Sequence, residues 1–328
     1  MTTPSISLGF PPGPLALEAA ELAERLGYHR IWLYDSAAIW EDVWVHLGRI
    51  ATATERIGLG TAVLVPNLRH VMTTASAIAT IDRLAPGRLV AGFGTGFTAR
   101  YVLDQVPLSW AQTERYVSQL RALLAGEVVE IDGKQCQMIH HPAMAEPRPI
   151  EVPLVLSAMG PKGQAIARES SDGLMSVGPG DGSWDPYYEM VHGTVLDPGE
   201  DPRSDRALAA AGPWWVVIFH AMWAAAGAEV LAGIPGADDW LERVAADRPE
   251  GQRHLAVHEG HCTHATERDR LLIDGAGSEL VHTGWVGEPD RIREMVGEAG
   301  AAGTTEIIYN PAGSDPLREI EAFAAATL

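Results

Sequence analysis

Lysine is almost missing from this chain. Lys134 and Lys162 are the only two among 24 basic residues, so 24 − 2 = 22 are arginine. Together with abundant alanine, that bias reads as GC-rich coding first and as chemistry second. Cysteine is just as scarce. Cys136 and Cys262 lie far apart and in no CxxC spacing, which speaks against a disulfide framework and favours a reducing, cytoplasmic setting. Positive charge is in deficit overall: 43 acidic residues against 24 basic give a net charge of −19, which argues against nucleic acid or an anionic membrane as partner. The opening MTTPSISLGF has no basic segment followed by an apolar core, so no signal peptide is expected. No internal repeat or low-complexity linker interrupts the chain.

What is present is the composition of a globular protein, 46% apolar and 20% charged over 328 residues. Short apolar runs alternate with helical patterns. Strands are predicted over Ser5–Phe10, Ile31–Tyr34, Ile57–Val65, Arg88–Phe93, Pro153–Leu156, Leu174–Val177, Trp214–Phe219 and Thr305–Tyr309. Helices are predicted over Leu15–Leu26, closed by Gly27, then Glu41–Ala53, His70–Leu84, Ser109–Leu124, Pro161–Glu169 and Asp290–Ala299, with EIEAFAAATL as the last. A hairpin over Val128–Ile139 turns at Asp132-Gly133. Eight strands separated by helices favour an α/β fold of the (β/α)8 barrel type, a single domain over residues 1–328, rather than an open doubly wound sheet. On the predicted seventh strand, Trp214 and Trp215 would face opposite ways, with at most one inside the barrel. Residues 222–283 exceed any normal barrel connection. They read as an insertion placed to form a lid or pocket wall, because barrel sites lie at the C-terminal strand ends.

The most informative block runs from Ile57 to Gly96. An apolar, β-branched strand, a small-residue helix and a second strand end in the turn Gly94-Thr95-Gly96, where glycine lets the backbone approach a flat or phosphorylated ligand. GFGTG is not a dinucleotide fingerprint. GxGxxG would need glycine at Phe97 or at Ala99, so a nicotinamide Rossmann domain is disfavoured. Ala158-Met159-Gly160 precedes the helix that carries Lys162 in its first turn, so its amides can meet a phosphate with the helix dipole behind them. His254, His258, His261 and His264 would share a helical face, but the run is not HExxH and no metal is assigned to it. His258 and His261 are instead the candidates for proton delivery.

The segments RHVMTTASAIATIDRLAPGRLVAGFGTG (from Arg69), VPLVLSAMGPKGQAIARESSDGLMSVG (from Val152) and TGWVGEPDRIREMVGEAGAAGTTEIIYNP (from Thr283) resemble, in order, the luciferase-like flavin and deazaflavin oxidoreductases. The branch using coenzyme F420, which includes methylenetetrahydromethanopterin reductase, is the most similar. This resemblance implies a cytoplasmic, homodimeric barrel in which Ala62-Val63 forms a non-proline cis peptide and bulge behind the deazaflavin ring. It implies that Trp40 walls the ring. The Ala158–Gly160 loop and the loop Ser176-Val177-Gly178 would hold the cofactor phosphate. Asp35 and Ser36 come to the mouth of the second strand. Ser36 stands where the sugar-phosphate dehydrogenases of this branch carry histidine, and Phe97 where they carry an acidic residue, which argues against that activity.

Three functions remain open on these grounds. The first is F420-dependent hydride transfer to or from a small organic substrate, with Asp35, Ser36 and His258 as polar candidates near the reacting carbon. The second is an FMN-dependent monooxygenase of the luciferase type. The third is a non-catalytic flavin- or metal-binding barrel.

Overall fold

The computed structural model describes residues 3–277 and 283–328. The last part of the predicted insertion, 278–282, lies outside the described residues. Eight strands pair in parallel and in chain order: β1 (Ser5–Phe10), β2 (Arg30–Leu33), β3 (Gly58–Leu64), β4 (Leu89–Phe93), β5 (Leu154–Ser157), β6 (Leu174–Val177), β7 (Tyr187–Val195) and β8 (Glu306–Asn310). β6 pairs with β7, and β8 returns to β1 with Glu306 opposite Ser5, so the sheet closes into the (β/α)8 barrel. The hairpin is also present, Val129–Ile131 against Lys134–Cys136, with positive φ at both Asp132 and Gly133.

Both faces of each strand are covered, which is why the strands read as continuous apolar runs. Leu8, Ile31, Leu59, Phe93, Leu154 and Ile307 point outward into the helix layer. Trp32, Val90, Val155, Met175, Tyr188 and Ile308 fill the barrel interior. Glycine makes room for Trp32 and Asn310. A Cβ at Gly60 would enter the Trp32 ring, and one at Gly9 would collide with Asn310 Oδ1. At the N-terminal end the Glu306 carboxylate accepts from Ser7 Oγ (2.6 Å) and Trp32 Nε1 (2.8 Å), tying three strands across the floor.

One predicted strand is corrected. Trp214–Phe219 is the middle of a 22-residue helix, Asp205–Ala226, and the seventh strand is Tyr187–Val195. A run such as WWVVIF carries no period, so helix and strand cannot be told apart from it; the alanine-rich flanks and the length decide. Tyr187–Val195 was hidden by the polar Glu189 and His192 and by Gly193. No helix joins β6 to β7; residues 178–186 cross directly.

The insertion therefore begins at residue 196 rather than at Met222, which lies inside the helix. It is helical throughout its described part: Asp205–Ala226, Ala237–Asp247, Arg253–Val257 and Glu267–Ala276. Asp205–Ala226 is long and apolar enough to cross a bilayer, yet half of that stretch is buried within the protein. Trp215, Val216, Leu231, Trp240, Val244 and Leu272 make a second apolar cluster of the insertion's own. Arg206 anchors it to the barrel by donating to Glu319 Oε1 (2.9 Å) and Thr194 Oγ1 (3.0 Å).

Candidate active site

The C-terminal strand ends gather an aromatic wall. Tyr34, just past β2, donates through its buried hydroxyl to Asn310 Oδ1 (2.8 Å), whose amide is oriented by Nδ2 donating to the carbonyls of Val191 and Ile308. Burial pushes the Tyr34 hydroxyl well above its ordinary pKa, so it remains a donor. The Tyr34 ring meets Trp40 at 5.1 Å and Trp214 edge-on at 6.3 Å, and Trp214 in turn stacks on His192 of β7 at 5.6 Å. Burial lowers His192 to about 4, leaving the ring neutral near pH 7.

Three nitrogens of this wall, Trp40 Nε1, Trp214 Nε1 and His192 Nε2, are buried and have no protein partner. A buried unsatisfied polar group costs about 1–3 kcal/mol, so these atoms mark where a bound group would supply the missing partners. A planar heterocycle with carbonyl and ring-nitrogen edges fits that requirement.

The Ala62–Val63 peptide is cis, and the pairing of β3 with β4 shifts register between Thr61 and Leu64. Both side chains pack against the interior cluster. Gly94 donates to the Leu64 carbonyl (3.0 Å), and a Cβ there would press on Val63 Cγ2. The carbonyl of Thr95 holds the Leu108 amide (2.8 Å), and Gly96 turns with φ 84° into the short helix Phe97–Tyr101. Of the two loops expected at the cofactor tail, Ala158 is buried and donates to the Met175 carbonyl, Met159 is exposed, and Gly160 caps the helix bearing exposed Lys162. Ser176 is buried, Val177 is half-exposed, and Gly178 accepts from the Tyr187 hydroxyl (2.9 Å). A Cβ at Gly160 or Gly178 would meet nothing within 4 Å, so both face open space.

The polar candidates separate into two groups. Asp35 is buried in an ion pair with Arg69 (2.7 Å), which also holds Asp42 (2.8 Å). Burial raises the Asp35 carboxyl despite Arg69. Ser36 is buried beside it, and its carbonyl receives the amides of Ile39 and Trp40, forming the turn that presents the Trp40 ring. His258 belongs instead to the insertion, its Nδ1 bonded to the His254 carbonyl (2.8 Å) and its ring beside His220 and His261. Burial lowers it to about 4. The four-histidine face expected from spacing does not form, because the helix ends at Val257 and the chain turns; His264 is exposed.

The segment 258–264 spans the mouth. His261 meets Thr98 beyond β4, Cys262 lies close enough to Tyr34 to bear on its ionisation, and the Thr263 carbonyl accepts from Gly313 beyond β8 (2.7 Å). A cavity of about 410 Å³ opens beside it, lined by Phe10, Pro11, Trp40, Thr263, Pro311 and Ala312 among others; among the described residues Glu41 is its one charged wall residue. Tyr34, Asn310, His192 and the mouth position of Trp214 are not legible in the sequence, because Tyr34 meets Asn310 and Trp214 across more than a hundred residues and Trp214 reaches His192 from a different element. A polar residue in an otherwise apolar strand, as His192 in YYEMVHGTV, is the local signal that could have found one of them.

The sequence profile of the luciferase-like monooxygenases matches residues 14–306. An F420-dependent glucose-6-phosphate dehydrogenase of Kineococcus radiotolerans is 33% identical over 333 residues, covering 96% of this chain and 92% of that protein. A 5,10-methylenetetrahydromethanopterin reductase of Methanolobus tindarius is 30% identical over 188 residues, where the match spans 56% of either chain. In three dimensions the chain superposes on the coenzyme F420-dependent tetrahydromethanopterin reductase of Methanopyrus kandleri with a TM-score of 0.69, at 20% identity and 99% coverage of both chains.

Proposed function

The chain belongs to the luciferase-like monooxygenase family, and from that membership we propose that it is a coenzyme F420-dependent oxidoreductase moving a hydride between the deazaflavin and a small organic substrate. The observation that carries this reading is the set of three partnerless ring nitrogens in the aromatic wall, found together with a cis-linked, bulged Ala62–Val63 segment in β3. When bound, the deazaflavin supplies or accepts the hydride at a ring carbon.

The chain's own residues orient and enclose. Ala62 and Val63 back the ring, Trp40 and Trp214 wall it, and Gly94-Thr95-Gly96 lets the backbone come close. The amides of Ala158–Gly160, with Lys162 and the Ser176–Gly178 loop, take the phosphate of the tail. The insertion serves as the lid, its 258–264 segment excluding water from the mouth. The Ser36 carbonyl holds the turn that carries Trp40, and Asp35 does not donate a proton itself, because Arg69 occupies its carboxylate.

The substrate is placed in the cavity beside Trp40. At about 410 Å³ the space suits a small molecule. No lysine or arginine lines it, so a sugar phosphate would find no cation, and a neutral, largely apolar compound fits better. The enzyme is read as a cytoplasmic homodimer that binds neither nucleic acid nor membrane.

The test is an anaerobic titration with F420 and FMN side by side. Submicromolar binding of F420 with weak binding of FMN is expected; the reverse preference, with oxygen uptake on adding reduced FMN, would replace this reading with a monooxygenase.

A further inference from the structure

A chain of four buried or half-buried side chains leads from the interior of the insertion to the barrel mouth, and it accounts for residues that the cofactor site leaves unused. Thr98 stands in the first turn after Gly96, and its Oγ1 lies 3.0 Å from His261 Nε2. His261 Nδ1 lies 3.0 Å from His220 Nδ1, the two rings stacked at 5.3 Å. His220 Nε2 lies 3.2 Å from Asp269 Oδ1. Asp269 is fixed by further donors, Trp240 Nε1 on Oδ1 (3.1 Å) and the Thr266 amide and hydroxyl on Oδ2 (2.9 and 2.8 Å). His220, His261 and Asp269 are each at most 3% exposed. Four elements meet here: the β4 loop, the long helix, the 258–264 turn and the helix Glu267–Ala276 that carries Asp269.

We propose that Asp269, His220, His261 and Thr98 form a relay that carries one proton to and from the Thr98 hydroxyl at the mouth. This rests on the hydride-transfer function proposed above. Asp269 is a carboxylate: burial would raise its pKa, but the bonds from His220 and Thr266 hold it below the ordinary value. His220 Nε2 therefore carries a hydrogen, and the Nδ1 to Nδ1 contact needs one more. Two arrangements satisfy every contact. With both histidines neutral, His261 Nδ1 donates to His220, and the Thr98 hydroxyl donates to His261 Nε2. With one proton added, His220 donates through both nitrogens, His261 Nε2 donates to Thr98 Oγ1, and the Thr98 hydrogen is free to turn outward. The two states differ by one proton and by the direction of two hydrogen bonds.

In reduction, the hydride forms a bond to an electrophilic carbon, and the π electron pair of that carbon–heteroatom double bond moves to its oxygen or nitrogen. That atom takes the Thr98 hydrogen. Thr98 takes the hydrogen of His261 Nε2, His261 takes that of His220 Nδ1, and the pair returns to neutral. Oxidation runs the same path backwards. The titratable groups facing His261 are His220 and His258, with Asp269 behind His220. Burial and these two neighbouring rings depress His261, which accordingly stays neutral in both arrangements and only passes the proton on. Thr98 is then a catalytic residue, and His261, His220 and Asp269 are positioning residues.

A Thr98→Cys variant tests the relay without turnover, because a thiol paired with a histidine ionises more readily than a free thiol, whose pKa is about 8.5. Alkylation by iodoacetamide at pH 6.5 is expected to run at least tenfold faster at position 98 than in the same variant carrying Asp269→Asn, with the wild type giving the background from Cys136 and Cys262. An ordinary thiol titration, or no effect of Asp269→Asn, overturns the relay. Saturating F420 is expected to protect the thiol. Activation without protection by F420 upholds the relay and overturns the cofactor placement instead. Should the variant fold poorly, the ¹⁵N shifts of the wild type at pH 7.5 decide: His261 protonated on Nδ1 and His220 on Nε2 support the relay, and any other neutral pair of tautomers overturns it.

Discussion

Trp214, from the insertion, lies nearly flat on His192, from β7, with 5.6 Å between ring centroids and 19° between planes. The contact brings a residue from the middle of a long apolar helix back to the barrel mouth, where its Nε1 and His192 Nε2 both lack partners. One face of the site is therefore made by a segment outside the barrel.

Trp214→Ala should weaken cofactor binding while leaving the fold intact, because the ring is only partly buried and lies outside the main apolar clusters. Removing one wall of the slot is expected to raise the F420 Kd about tenfold, roughly 1.4 kcal/mol. Absorbance titration measures it; an unchanged Kd would mean that the cofactor does not lie against this ring.

Arg69→Ala removes the partner of Asp35, a carboxylate only 5% exposed. An uncompensated buried charge costs about 3–5 kcal/mol, to be read from urea unfolding. Asp42→Ala cuts the outer arm of the same network, where the side chain is 47% exposed, and should cost under about 1 kcal/mol of ion-pair energy together with a helix cap of about 1 kcal/mol.

Acid should destabilise the protein between pH 6.5 and 4. His192 and His258, buried and depressed to about 4, stay neutral in the native state while the unfolded chain, with its ordinary value near 6.5, takes up protons. Their stability contribution is complete above 6.5 and fades as pH falls through that window, by roughly 3 kcal/mol at most for each. His258→Gln should flatten the decline in Tm below pH 6.5; an identical slope would show that His258 is protonated in the native state.

Gly60→Ala forces a methyl into the Trp32 ring and should cost about 1–3 kcal/mol through overpacking. Trp32→Phe also costs stability, because it removes the bond to Glu306. The double variant should lose less than the sum of the two, since the smaller ring relieves the clash; strict additivity would show that Gly60 is not there to admit Trp32.

Wherever period and punctuation agree, the sequence was sufficient to read the fold. β1 and β6 begin and end where their apolar runs do, and Gly27, Ser109 and Pro161 mark helix ends that the structure reproduces to within a residue or so. The seventh strand failed for a physical reason: WWVVIF is equally apolar on every face, while the true strand shows Glu189 and His192 because Glu189 bonds Thr304 and His192 faces the mouth. The cis peptide at Ala62-Val63 was legible only through resemblance, since nothing in TAVLVP differs from an ordinary strand. The relay was legible in part. His258 and His261 stood out as a cluster, but His220 and Asp269 lie 41 and 8 residues from His261, and Thr98 lies 163 away, so only the closed barrel and its insertion bring them together.

The insertion has an apolar interior of its own, centred on Trp215 and Trp240 and separate from the barrel's. Leu272 and Val244 belong to that interior alone, so a change at either is expected to leave the eight strands in register. What lies above the mouth can thus drift under selection at a different tempo from what lies below it. Descendants of one barrel can come to accept new substrates without rebuilding the bed in which the cofactor rests.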